Sequence, residues 1–413
     1  MIYPIQDLLD DRGSALLLTI LAVGMLSVLA LGLASITMAD NTATVQSLGE
    51  AKARYAAEAG VNRALYEIRN YLETGISPAS SYQDSLEPDL NYNVSLDRIP
   101  NTDLFQINAK GTYKNFSGEI KAKADTLPKA ADYAIFTDQD LNLGTVAEFT
   151  IRGDIHSNGK IHTGGLTDIL LDNFKLEGEA YTVDDQNSCV PKHVIQKGEN
   201  IPFPELDWDK IKQKATLKNP SSIPDILFLD DLLKSILNVW IFPRLHGESA
   251  YFEGNVLLIG PFTGKGVLAV KGTAIALLSG ASYTPTPNEG IMLAAKDDLI
   301  FLLSIADLGN VLKTVLGLVG DLLDFLLGWL TELPELGLPW QPNYYLNGLV
   351  YSGGNIVGLA NIPTVKGAVV TRNFSGLELS SLIVHDPELA SKLPARKIFF
   401  KDNPVRIVSW EEN

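Results

Sequence analysis

An uninterrupted apolar stretch from Ala15 to Met38 constrains this chain more than any other feature. It follows a charged cluster, Asp10, Asp11 and Arg12, and its few hydroxyl side chains can bond back to carbonyls of their own helix. The stretch is long enough to cross a bilayer and too long for the apolar core of a secretory signal peptide. We therefore predict a membrane helix whose apolar surface includes Leu16, Leu17, Leu18, Ile20, Leu21, Met25, Leu26, Leu29 and Leu31.

The helical pattern continues beyond the apolar stretch. Residues 41–75 are rich in Ala, Glu, Arg and Leu, contain no proline, and repeat apolar residues at spacings of three and four, which is typical of an amphipathic helix. Gly75 and Pro78 are typical residues just past a helix end. The prediction is one long helix over 14–75, with its first half suited to lipid and its second half to burial on one side.

Three features occur together in this region: a short polar leader ending in Arg12 and Gly13, a small residue at Ser14, and the segment YAAEAGVNRAL after the apolar helix. In this combination residues 8–75 resemble the N-terminus of type IV pilin-like proteins, specifically minor pilins of the PilX class. The resemblance implies that a prepilin peptidase in the membrane removes a leader, residues 1–13, by cutting between Gly13 and Ser14, and that Ser14 is then methylated. It further implies that the helix leaves the membrane to pack against other subunits of a filament.

The sequence departs from that family in two places. Subunits that form the body of a filament usually carry a glutamate at the fifth position after the cut, where this chain has Leu18, and that absence resembles subunits at a filament tip. The leader is also acidic, with three Asp and one Arg, so the positive-inside rule gives little support for a cytoplasmic N-terminus. The competing interpretation is an uncleaved signal anchor without a filament role.

Residues 76–130 change to a period of two residues. The segments NYNVSLDRI, LFQINAKGTY and SGEIKAKAD alternate apolar and polar residues between turn sequences, which predicts two to four antiparallel strands with one face on the long helix. The sequence TLPKA at 126–130 is the predicted linker. The N-terminal module is therefore expected to be α+β, a long helix on a small antiparallel sheet.

A short pattern recurs in the predicted C-terminal domain, residues 131–413. GDIHSNGKI and GLVYSGGNI share it closely, and three other segments share it more loosely. Each copy reads as a short strand, a tight glycine bend and another short strand, which is typical of the coils of a β-solenoid. We predict a mainly-β domain built as a β-helix, with a β-sandwich as the alternative. The copies begin at Gly153, Gly266, Gly290, Gly348 and Gly367.

Two apolar segments interrupt the repeats and predict helical insertions at 225–242 and 297–333. In each, polar or small residues form a single stripe, and the rest is mostly Leu, Val, Phe or Trp. These helices either pack on each other and cover an open end of the solenoid, or present part of their surface to a hydrophobic partner or a membrane. The candidate contact surface consists of Leu322, Phe325, Leu326, Trp329 and Leu330.

The composition argues against several classes of chemistry. The formal net charge is -16 and there is no basic block, so we expect no nucleic-acid partner. The histidines have no recognised metal-ligand spacing and Cys189 is the single cysteine, so we expect neither a metal site nor an intrachain disulfide. Without a nucleotide-binding loop or a catalytic motif, we expect no cofactor and no catalytic residues. The enzymatic alternative is a polysaccharide lyase or hydrolase with paired acids in a solenoid groove.

These observations lead to one hypothesis: a minor subunit of a type IV pilus or of a type II secretion pseudopilus-like filament, placed at the tip, that helps to initiate assembly or adheres through its β-domain. The expected partners are other pilin-like subunits, the prepilin peptidase, the inner membrane with its assembly platform, and a host, surface or membrane target. The protein is expected in the inner membrane before assembly and on the cell surface afterwards. A membrane-anchored surface enzyme and a structural envelope protein without a filament are the alternatives.

Overall fold

The first element of the chain is a single 64-residue helix, α1, which spans Asp11–Thr74. It ends next to the glycine that the sequence pattern predicts as its stop. The computed structural model describes residues 11–74, 76–99, 104–163, 174–185, 188–190, 193–220, 237–241, 243–260, 263–277, 290–302, 308, 311, 313, 345–358, 364–386, 400–401 and 405–412.

The C-terminal half of α1 packs on a small antiparallel sheet. Its strands, numbered along the chain, are β1 Ser81–Glu87, β2 Leu90–Arg98, β3 Leu104–Tyr113, β4 Phe116–Asp125 and β22 Arg406–Glu412. The strand order is β1-β2-β3-β4-β22, so the end of the chain supplies the fifth strand. Alternate residues such as Val94 and Ile107 face the helix, where they form one core with Val61 and Ile68.

The residues between β4 and β22 form a β-solenoid in which paired strands run parallel, a pattern that excludes the antiparallel β-sandwich alternative. A short 3-10 helical turn at Lys129–Asp132 leads into it. Its elements are β5 Ile135–Thr137, β6 Leu141–Arg152, β7 Ile155–Ser157, β8 Ile161–Thr163, β9 Phe174–Glu177, β10 Ala180–Thr182, β11 Ile195–Lys197, α2 Trp208–Lys214, β12 Leu217–Lys218, β13 Leu237–Ile241, β14 Arg244–Phe252, β15 Asn255–Ile259, β16 Thr263–Val270, β17 Ala274–Leu277, β18 Ile291–Ala295, β19 Leu299–Leu302, β20 Tyr345–Gly358 and β21 Thr364–His385.

Several solenoid coils bring a strand beside the strand two positions further along the chain, as in the pairs β13–β15, β15–β17, β14–β16 and β16–β18. The repeated glycines lie at the corner that opens each copy of the pattern. Gly153, Gly266, Gly348 and Gly367 have φ values of 121°, 155°, 134° and 140°, which side chains rarely tolerate. The repeat predicted from the sequence is therefore the repeat of the coils.

The order of coils in space differs from their order along the chain. The chain enters the middle of the stack at β5 and β6 and runs to one end at β11, since β5 pairs with β7, β7 with β10 and β10 with β11. It then coils back from β12 and β13 until β21 lies beside β5 and β6. The two chain connections to the small sheet therefore both leave from the middle of the solenoid.

The segment that joins the two ends of the stack, residues 198–216, forms a second core on the outside of the solenoid. It contributes Ile201, Leu206 and, from α2, Ile211, which pack with outward-facing strand residues such as Phe136 and Tyr351. The interior of the solenoid has a separate core of aliphatic and phenylalanine side chains. We call residues 198–206 the crossover.

Three of the sequence predictions need correction. The helical insertion predicted at 225–242 is wrong at Leu237–Ile241, which is strand β13, and the rest of that segment lies outside the described residues. Pairing with β15 and burial on the stack override the helical period there. The insertion predicted at 297–333 is likewise wrong at Leu299–Leu302, strand β19. The predicted domain 131–413 also includes β22, which belongs to the small sheet because it pairs with β4.

Candidate functional site

The N-terminal half of α1 is the most exposed apolar surface of the described chain. Its large side chains between Leu16 and Met38 are 51% to 71% exposed, the lowest value at Leu21 and the highest at Leu31. Leaving a Leu or Ile side chain in water instead of burying it forfeits about 1.5–3 kcal/mol. This half of the helix therefore requires lipid or another apolar surface. It includes every residue predicted for the membrane or filament helix: Leu16, Leu17, Leu18, Ile20, Leu21, Met25, Leu26, Leu29 and Leu31.

The polar groups of this half are satisfied within the helix. The Ser27 hydroxyl donates to the Val23 carbonyl at 2.7 Å, and the Thr37 hydroxyl donates to the Leu33 carbonyl at 2.9 Å. Such internal bonding is what hydrocarbon surroundings demand. Among the described residues one helix, α1, is long and apolar enough to cross a membrane by length and composition, with a mean hydropathy of 2.6 in its most apolar window.

The predicted processing residues lie at the start of this helix. Gly13 and Ser14 are in the first turn of α1, and the Ser14 side chain falls outside the described part. Leu18 is 69% exposed one turn further on, and the next acidic residue in the sequence after Asp11 is Asp40.

The C-terminal half of α1 lies close to the small sheet because glycines occur on both contacting surfaces, in the helix and in the strands. A β-carbon at Gly111 of β3 would overlap the backbone of Ala53 and Ala57. A β-carbon at Gly60 of the helix would come within 2.6 Å of a methyl group of Val94. Gly111 was not among the predicted residues, although a glycine inside a strand pattern is a signal for close backbone approach.

An ion-pair cluster fixes the solenoid to the small sheet where the two chain connections meet. The Arg406 guanidinium of β22 contacts the carboxylates of Asp125, at 3.2 Å, and Asp132, and its Nε donates to the Leu127 carbonyl at 3.0 Å. Burial raises the pKa of Asp125 above its ordinary value, and Arg406 opposes that rise. Nothing local in the sequence predicts this cluster, because its members lie at opposite ends of the solenoid segment.

A groove of about 370 Å³ lies beside this junction. Two glutamates on its edges, Glu199 and Glu205, form ion pairs with Lys129 and Lys401. Lys401 holds the pKa of Glu205 below its ordinary value, so this carboxyl is an anion at neutral pH and not a proton donor. The lining residues are Pro128, Lys129, Glu199, Asn200, Ile201, Pro202, Phe203, Pro204, Glu205 and Phe400.

The two histidines that are close in the sequence lie on different sides of a solenoid corner. His156 of β7 is 1% exposed, whereas His162 of β8 is exposed on the next face. Their strands pair with different neighbours, β7 with β5 and β8 with β6. Within the described ranges no group of three or more His, Cys, Asp or Glu side chains could hold a metal ion.

The apolar contact surface predicted in the second insertion lies outside the described residues, and so do all of its members: Leu322, Phe325, Leu326, Trp329 and Leu330. Three helical positions within that insertion, Leu308, Val311 and Lys313, are described, and Lys313 is exposed. Leu308 is fully buried and Val311 is 7% exposed, so this part of the segment contributes to a core.

Comparisons with solved structures find low similarity, for example to the following two proteins. No protein-family model matches the chain, and no curated protein matches it. The competence-associated pilin ComZ from Thermus thermophilus has 13% identity and a TM-score of 0.35, over 88% of this chain and 97% of ComZ. An ice binding protein from an Antarctic biological consortium has 13% identity and a TM-score of 0.17, over 62% of this chain and 88% of that protein. Similarity this low defines no family, and the function has to be argued from the chain's own geometry.

Proposed function

We propose that this chain is a minor pilin-like subunit of a type IV pilus or a type II secretion pseudopilus-like filament. The single observation that carries the proposal is the division of α1. One half exposes apolar side chains along its whole length, while the other half is fixed to the small sheet through residues such as Ala57 and Val61. A helix of this kind holds a folded domain at the membrane and can exchange lipid contacts for contacts with neighbouring helices.

In this proposal the leader is removed between Gly13 and Ser14, and the exposed half of α1 is stored in the inner membrane before assembly. The prepilin peptidase, the assembly platform and other pilin-like subunits are then its partners. The solenoid is carried outside, on the surface of the cell or of the filament. PilX-class minor pilins are the subgroup that the leader and the segment YAAEAGVNRAL resemble.

A place at the filament tip, with a role in initiating assembly or in adhesion, is the finer proposal. Leu18 supports it, because a tip subunit has no earlier subunit whose terminal amine it must neutralise.

Mass spectrometry of the mature protein from membranes tests the proposal. We expect an N-terminal methylated Ser14 in the wild type and the unprocessed leader in a Gly13→Leu variant. Gly24→Ala, in the exposed half of the helix, is the matched control and should be processed normally, since a β-carbon there meets no atom within 4 Å. An intact leader in the wild type, with normal membrane insertion, would contradict the pilin-like proposal and favour a plain signal anchor.

A further inference from the structure

An asparagine with a buried histidine behind it is one of the contacts that hold the crossover on the solenoid. The Gly198 N–H also donates to the Thr182 carbonyl at 2.8 Å, and the Tyr351 hydroxyl donates to the Pro204 carbonyl at 2.9 Å. The Asn158 side chain bonds both backbone groups of Ile201: Oδ1 accepts from the Ile201 N–H at 3.0 Å, and Nδ2 donates to the Ile201 carbonyl at 2.7 Å. His156 Nε2 lies 3.2 Å from the same Oδ1. Because Oδ1 is an acceptor in the first bond, Nε2 must carry the proton and donate.

The other ring nitrogen of His156 is buried without a hydrogen-bond partner among the described residues. The ring stacks on Phe136 with centroids 5.7 Å apart and contacts the Tyr133 ring at 5.0 Å. Gly198 of the crossover closes over it, since a β-carbon there would come within 2.7 Å of Cε1. A second proton on this imidazole would therefore add a charge and an N–H donor at a place that offers no acceptor.

Burial and the nearby Lys129 oppose a positive charge on His156, and the two neighbouring carboxylates are bonded to other groups. Lys129 of the 3-10 turn opposes protonation, and its own partner is Glu199 of the crossover. From β10, Tyr181 donates its hydroxyl to Glu179. Asp138 lies behind Asn158 and accepts from Nδ2 at 3.2 Å. Burial is the largest cause that lowers the pKa of His156, and Lys129 lowers it further, against the hydrogen bond with Asn158.

We propose that His156 and Asn158 form a pH-sensitive latch that holds the crossover on the solenoid at neutral pH and releases it in acid. Release moves Ile201 and Phe203, which line the groove at the junction, and so changes the surface beside the connection to the small sheet. Proton linkage gives the direction of the pH dependence of opening. Once the crossover lifts, His156 regains its ordinary pKa of 6.5, so below that pH the open form binds the proton more tightly than the closed form. The open population then rises up to about tenfold for each pH unit until the closed form also titrates.

Hydrogen exchange of the full chain in detergent micelles, read by mass spectrometry at pH 7.5, 6.5 and 5.5, tests the latch. After correction for the intrinsic exchange rate, peptides covering 198–206 should lose up to about tenfold in protection between pH 7.5 and 5.5, while peptides from β15 and β17 keep theirs. In His156→Phe, which fills the same aromatic space without titrating, the pH step should vanish. The exposed His162→Phe is the matched control and should retain it. A step that persists in His156→Phe, or a wild type without one, would overturn the proposal.

A second measurement covers the case in which His156→Phe fails to fold. In the wild-type chain labelled with ¹³C at the histidine Cε1, His156 should titrate below its ordinary pKa of 6.5. A His156 midpoint at that ordinary value would show that the imidazole is accessible and that no latch exists.

Discussion

The two halves of α1 are continuous in backbone but opposite in surroundings. Between Leu16 and Met38 the large apolar side chains are at least half exposed, whereas Ala53, Ala57, Val61 and Ile68 are at most 1% exposed. The first half uses large side chains around the whole helix, and the second uses small ones on a single stripe. An apolar stripe on one side of a helix can pack on a sheet of the same chain, whereas a helix that is apolar on all sides packs in lipid or among several neighbouring helices.

The two halves of α1 therefore have separate roles, one in the stability of the fold and the other in contacts outside the folded module. The second half holds the folded module together, and its substitution should unfold it. The first half contributes nothing to that core, so its substitution should leave the fold intact and change where the protein is found. Each prediction below tests one side of this contrast.

The largest effect is expected on the buried side, from Gly111→Ala. The added methyl group would overlap the backbone of Ala53, so the helix must move away from the sheet, at a cost of about 3 kcal/mol in the free energy of unfolding. Thermal unfolding of the full chain in micelles, followed by protease resistance of the sheet, measures it. Gly24→Ala makes the same chemical change in the exposed half and should not lower stability. Equal losses in the two variants would mean that both halves of α1 are packed.

A charge in the exposed half should act on localisation instead. Leu26→Asp places a carboxylate in the apolar stretch, where a membrane centre costs about 3 kcal/mol per charge. We expect a smaller fraction of the protein in the membrane pellet after alkaline extraction, with unchanged protease resistance of the solenoid. Val45→Asp is the matched control, since Val45 is also exposed on α1 but lies past the apolar stretch. Loss of folding in Leu26→Asp would show that this half belongs to a core.

A smaller loss of stability is expected at the junction between the small sheet and the solenoid. Arg406→Met removes the cation beside Asp125, which is 8% exposed, and leaves a largely buried carboxylate without its charged partner. We expect a loss of about 2 kcal/mol at pH 7. The control is Arg152→Met, whose partner Glu177 is solvent-exposed and whose loss should cost under about 0.5 kcal/mol. Urea unfolding at pH 7 compares the two variants.

The pH dependence of Arg406→Met separates a charge effect from lost packing. The folded-state pKa of Asp125 already lies above the ordinary 3.8, and removing Arg406 raises it further. As the pH falls, the folded state therefore takes up this proton before the unfolded state does, and the deficit should shrink from pH 7 toward about pH 4. A deficit that is constant over this range would assign the loss to packing of the guanidinium.

Local patterns predicted the elements well where each residue's surroundings repeat along the chain. The helix period led to one helix over 14–75 against the observed Asp11–Thr74. The glycine spacing predicted the coils because a corner with positive φ recurs in several of them, as at Gly153 and Gly348. The helix period and the glycine spacing both depend on residues that are close in the sequence, so a single sequence is enough to detect them.

Features that depend on distant pairs were not predictable in the same way. Strand β13 carries a helical period, and only its pairing with β15 decides its state. The pairing of β21 with β5 joins residues far apart in the sequence. No local sequence pattern therefore indicates that the chain enters the solenoid in the middle of the stack. His156 occupies an ordinary repeat position, and its burial depends on Gly198, which belongs to the crossover.

The smallest effect on stability, and the sharpest test of the exposed half, is expected from Leu18→Glu. Leu18 is 69% exposed, so the fold should be unchanged within about 0.5 kcal/mol. If the missing charge keeps the subunit at the tip, a glutamate there lets it neutralise the terminal amine of an earlier subunit and enter the filament body. Immunogold labelling of the solenoid should then shift from filament ends to filament sides. Leu17→Glu, one position away, is the control and should not cause this shift. Wild-type label along whole filaments would contradict the tip proposal while leaving the division of α1 intact.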